Sequence, residues 1–177
     1  GGFELRRYPS AVVAEVSVSG PFEGAGNTAF RLLFGYITGD NLSSRSVAMT
    51  APVLQEAAAP EKVAMTAPVV QSEDGSGDHL IAFVLPASLT LETAPTPTNP
   101  RVRLRELPET LTAASRYSGR WTEASYRRHL ADLETVLAAE GLTAVGAPRL
   151  ARYDPPFKPW FLRRNEVLQD VERAPLE

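Results

Sequence analysis

Val47-Ala48-Met49-Thr50-Ala51-Pro52-Val53 returns, residue for residue, as Val63-Ala64-Met65-Thr66-Ala67-Pro68-Val69. The two copies hold both methionines of the chain. Chance does not produce a seven-residue identity in 177 residues, so both copies answer one structural or chemical demand. Their spacing of 16 is too short for two solenoid units, and no third copy follows. Val, Met, Thr and Val favour extended backbone, while the proline confines each copy to a sheet edge, a bulge or a strand end. The geometry expected is a hairpin with identical arms, in which a turn near Ala57 sets Met49 across from Met65. Paired thioethers make a soft apolar surface suited to a flat or irregular ligand. The commoner use of methionine at such positions is as a flexible core filler.

Outward from this repeat, the chain reads as an ordinary soluble globular protein of one domain, 44% apolar and 22% charged. The net charge of −3 comes without a basic block or an acidic tail, so neither a nucleic-acid nor a membrane partner is expected. Cysteine is absent, which excludes disulfides, zinc–thiolate sites and thiol catalysis. The two histidines, His79 and His129, are far apart, so no metal-ion site is expected. No apolar run reaches 18 residues, and cytoplasmic is the default location. The Gly1-Gly2 start is consistent with trimming of a leader. Arginine far outnumbers lysine and alanine is abundant, a hint of a GC-rich bacterial genome.

Alternation predicts strands over 3–8 and 11–18, broken at Pro9, and then the period changes. Phe22, Ala25, Ala29, Phe30, Leu33, Tyr36 and Ile37 share one helical face. The repeat hairpin and a strand over 79–85 follow. The same grammar then recurs: strands over 102–107 and 111–117, then a helix with Tyr126, Leu130, Leu133 and Leu137 on one face and Gly141 beyond its end. Closing strands are expected over 149–153 and 160–171. Ser118-Gly119-Arg120-Trp121 matches Ser19-Gly20-Pro21-Phe22 at an offset of 99. Two halves, about 3–94 and 101–171, related by a pseudo-two-fold axis would leave one shared cleft, a preferred place for a ligand.

From Phe3 to Val171 the chain resembles the SOUL/haem-binding protein family. The resemblance rests on Phe3-Glu4-Leu5-Arg6-Arg7-Tyr8, the helix segment from Ala29 to Ile37, the doubled Met-Thr-Ala-Pro-Val, and Arg164-Asn165-Glu166-Val167. It implies an α+β fold: a distorted antiparallel β-barrel of about eight strands with two flanking helices, similar to gyrase-inhibitor-like effector-binding domains. It also implies weak, reversible binding of haem or a related tetrapyrrole, and the leading reading of the chain is a small monomeric carrier or scavenger of such rings. Some members place a proposed iron-ligating histidine just before the tyrosine of the first strand. Arg7 stands there instead, and a guanidinium has no lone pair for iron.

The candidate binding residues are therefore Met49, Met65, Arg7, Arg45 and Lys62. The arginines and the lysine would pair with carboxylates; alternatively, Arg7 is a solvated strand residue, and Arg45 and Lys62 are charges that protect a sheet edge. His79 is expected to be exposed and His129 to sit at a helix boundary, so neither is expected to ligate iron strongly. Glu166 lies in an apolar strand and needs a partner, for which Arg163 and Arg164 are local and Arg152 or Arg105 could come from a neighbouring strand. Paired, it is structural. Unpaired and desolvated, it would be the general base of a hydrolase acting on small hydrophobic compounds, the rival to the carrier reading. A third reading is an effector-sensing module without chemistry.

Overall fold

The computed structural model describes residues 2–42, 47, 50–57 (by backbone), 78–154 and 157–173. Their order is β1 (Glu4–Tyr8), β2 (Ala11–Val18), α1 (Phe22–Thr38), β3 (Thr50–Ala57), β4 (His79–Val84), β5 (Arg103–Leu107), β6 (Thr110–Tyr117), α2 (Glu123–Ala139), β7 (Leu142–Arg152) and β8 (Asn165–Arg173). All strand pairings are antiparallel, in one eight-stranded sheet ordered β1-β6-β8-β7-β3-β4-β2-β5.

That order is a palindrome. Exchanging β1 with β5, β2 with β6, β3 with β7 and β4 with β8 reverses it, with the midpoint between β3 and β7. Each half lends its first strand to the other's second strand: β1 pairs with β6, and β5 with β2. The matched turns ahead of the helices carry Gly20 at φ 122° and Gly119 at φ 142°. Side chains rarely adopt that backbone, which is why glycine recurs at both places. Among the described residues β1 and β5 end the ladder without joining, so the expected barrel is not closed by hydrogen bonds.

Both helices cover one side of the sheet. Ala25, Ala29, Leu33, Tyr36 and Ile37 of α1 pack on Val12, Val16, Ile81 and Phe83, as their 3.6-residue period requires. Leu133 and Leu137 of α2 pack on Ala113, Leu150 and Val167, and Thr122 caps this helix by accepting the Ser125 N–H at 3.3 Å. A third cluster lies on the opposite, helix-free face: Val13, Ala82, Ala114, Ala151 and Leu168, drawn from both halves.

Two expectations about elements are corrected. Ala57 does not head a turn: it ends β3 and pairs with His79, while both edges of Val53–Glu56 are taken by β4 and β7. The first repeat copy thus runs into a central strand, with a register shift between Thr50 and Val53 where the proline falls. The last strand begins at Asn165 instead of residue 160, because Trp160–Leu162 forms a 3-10 turn on the surface.

Candidate functional site

Of the residues singled out in the sequence, Met49, Met65, Arg45 and Lys62 lie outside the described residues. Arg7 is on β1, an end strand of the sheet, where its guanidinium is exposed and pairs with Glu109 at 2.9 Å. Such a pair in water contributes little and leaves the guanidinium available to a competing carboxylate.

Glu166 is fully buried on the helix-free side of β8, and its acceptor positions are filled. Arg6 Nη1 donates to Oε2 at 2.6 Å and Arg6 Nη2 to Oε1 at 3.2 Å, a bidentate pair. Arg164 donates to Oε1 from Nη2 at 2.6 Å and from Nε at 3.1 Å. The Tyr153 hydroxyl completes the set on Oε2 at 2.7 Å. Arg6 in turn reaches Glu4 at 2.8 Å and the Tyr8 hydroxyl at 3.2 Å. Desolvation pulls the Glu166 pKa upward, but the hydrogen bonds from Arg6, Arg164 and Tyr153 outweigh it and hold the carboxyl below its usual 4.5. Two guanidinium groups and a phenol leave no lone pair for a substrate proton. The local partner Arg164 was legible in the sequence. The remote one, Arg6, was not.

The same network braces the base of the corner between β7 and β8. Tyr153 N–H donates to the Arg164 carbonyl at 3.3 Å, and Arg164 N–H donates to Asp154 at 2.5 Å. Lys158 Nζ holds the other Asp154 oxygen at 2.6 Å, and Arg163 Nε donates to the Lys158 carbonyl at 2.8 Å. On this base stand four large apolar side chains that the fold leaves in water: Phe157 at 87% exposure, Trp160 at 47%, Phe161 at 58% and Leu162 at 57%. Large apolar side chains left in water this close along a chain are a feature of binding surfaces. Cations rim it. Arg120 lies 5.3 Å from the Trp160 ring centre, and Arg163 stacks 4.2 Å over Trp121. Trp121 also lies 4.9 Å from the buried Arg152 guanidinium, and its Nε1 donates to Asn165 at 2.6 Å. The sequence signal for this corner was prolines at 155, 156 and 159 ahead of three consecutive bulky apolar residues, a run without strand alternation.

Both histidines are half-buried on the helix-covered side. His79 meets Phe22 edge-on at 5.7 Å, a packed position instead of the exposed one expected. His129 lies within α2, not at its boundary, and stacks on Tyr117 at 4.1 Å. Desolvation and then Arg128 lower its pKa against the opposing pull of Asp132. Among the described residues no group of three or more His, Cys, Asp or Glu side chains is arranged to hold a metal ion. Among the described residues no helix is long and apolar enough to cross a membrane.

A family model described as SOUL heme-binding protein matches residues 1–170. Heme-binding protein 1 of Xenopus tropicalis is 26% identical over 166 residues, 93% of this chain and 81% of that protein. Among solved structures, the C-terminal domain of EcmrR superposes with a TM-score of 0.70 at 12% identity, covering 98% of both chains. A hydrolase from Listeria innocua does so with a TM-score of 0.64 at 15% identity, covering 96% of this chain and 91% of that one. Likeness at these identities speaks to the fold alone.

Proposed function

The chain belongs to the SOUL heme-binding protein family, and from that premise we propose that it carries or scavenges haem or a related tetrapyrrole. The match over residues 1–170 is the observation that carries this reading. The proposed mode is apolar contact with the macrocycle and arginine pairing with its propionates, without strong histidine ligation. The exposed Phe157, Trp160, Phe161 and Leu162 supply a face for a flat apolar ring. Arg120 and Arg163, beside the Trp160 and Trp121 rings, supply guanidinium groups for carboxylates. The packing of His79 and His129 against Phe22 and Tyr117 under the helices is consistent with an iron left without a strong protein ligand. Met49 and Met65 stay in the proposal as thioether contacts, with Arg45, Lys62 and Arg7 as further partners for carboxylates; Arg7 would exchange Glu109 for a propionate. We take the protein to act as a monomer in the cytoplasm.

The saturated acceptors of Glu166 weigh against a hydrolase that uses it as a base. The test is a visible-absorbance titration with haemin of the wild type and of a Trp160→Ala, Phe161→Ala double variant. At least a ten-fold loss of affinity is expected, about 1.4 kcal/mol. Unchanged affinity in a folded variant would remove the corner from the site.

A further inference from the structure

Arg101, Arg103 and Arg105 occupy every second position approaching and entering β5. A strand's period of two sets them on one face, opposite Val102 and Leu104, which enter the core beneath α1. Same-face neighbours on a strand are only about 7 Å apart, and three like charges in a row repel one another. Glu15 on β2 stands directly opposite Arg103 in register, yet its Oε2 accepts from Arg105 Nε at 2.8 Å. Arg103 is passed over, and neither it nor Arg101 has a side-chain partner among the described residues. Both open onto a cleft of about 430 Å³ lined by Glu15, Ser17, Leu80, Pro100, Arg101 and Arg103. This size falls within the range of small-molecule sites.

We propose that this cleft binds a small organic anion, a carboxylate, sulfonate or phosphate ester on a compact apolar body. Arg101 and Arg103 offer two forked guanidinium donors that are free to turn toward one anionic head. Glu15 also lines the cleft, with its Oε2 held by Arg105. The Ser17 hydroxyl adds a hydrogen-bonding group, and Leu80 and Pro100 form walls for an apolar body that bare phosphate cannot use. The site uses none of the residues assigned to the tetrapyrrole and stands whether or not that reading holds.

Calorimetric titration of the full chain with 2-naphthyl phosphate tests it, with inorganic phosphate as the control. One saturable site is expected, with inorganic phosphate at least about ten-fold weaker. An Arg101→Gln, Arg103→Gln double variant should bind naphthyl phosphate at least about ten-fold more weakly. Both side chains are exposed, so its circular dichroism and melting temperature should match the wild type. Saturating haemin should leave the affinity for naphthyl phosphate unchanged. A dissociation constant weaker than about 1 mM would overturn the proposal, as would unaltered binding by the double variant. Equal affinity for inorganic phosphate, or competition by haemin, would overturn it as well.

Discussion

Replacing Glu166 by Gln tests the buried network most sharply. Glutamine keeps the shape of the side chain but removes the charge shared by Arg6 and Arg164, and its amide cannot accept from both guanidinium groups and Tyr153 at once. Breaking a buried ion pair by altering one partner costs about 3–5 kcal/mol. Arg6 and Arg164 keep 24% and 39% of their side-chain area in water, so solvent partly compensates them. The lower end, about 3 kcal/mol, is therefore expected. With a urea m-value of about 2 kcal/mol/M, the midpoint should fall by about 1.5 M at pH 7. The pH dependence has a definite sign. Because the folded carboxyl titrates below 4.5, its contribution is complete above that value and is lost as pH falls through the folded pKa. The gap between wild type and variant should therefore narrow in acid. A midpoint shift of less than about 0.3 M at pH 7, or a gap constant down to pH 3, would refute this account of the network.

Other outcomes follow from the same geometry. A His79→Ala, His129→Ala variant should retain the Soret spectrum of bound haemin; loss of the band in either single variant would assign an iron ligand. Replacing Met49 and Met65 together by Ala should weaken haemin binding more than about ten-fold by absorbance titration, and unchanged affinity with an intact fold would reduce the pair to packing. Gly26→Ala places a methyl 3.1 Å from Cζ of the buried Arg152 and closer still to its Nη1. It should destabilise by about 1–3 kcal/mol in thermal melts despite alanine's better helix propensity, whereas a stabilised variant would show that Arg152 moves freely aside.

The sequence exposed the local logic of the fold and hid its long-range exchanges. Period and the Ser-Gly turns at an offset of 99 pointed to a helix after each opening pair of strands, and both helices are found. They could not reveal that β1 and β5 change places, because alternation specifies which face of a strand is buried and not which strand lies beside it. For the same reason the second guanidinium on Glu166 came from Arg6, 160 residues away, where no local pattern points. Trp160-Phe161-Leu162 looked like strand because bulky apolar residues usually seek the interior; they form a turn instead, opened by Pro159, whose carbonyl accepts from the Leu162 N–H at 2.9 Å. Tyr117 drew His129 into a stack that a charged, arginine-rich stretch of helix did not suggest.

On the proposed function, the protein recognises a tetrapyrrole by its ring and its carboxylates. Parallel titrations with haemin and metal-free protoporphyrin, followed by absorbance and by quenching of Trp121 and Trp160 fluorescence, test it most directly. Saturable 1:1 binding of both is expected, with dissociation constants within about three-fold of each other, a difference below about 1 kcal/mol. Saturable binding of haemin with none of the metal-free ring would assign recognition to the iron, and absence of saturable binding by either would contradict the tetrapyrrole reading altogether.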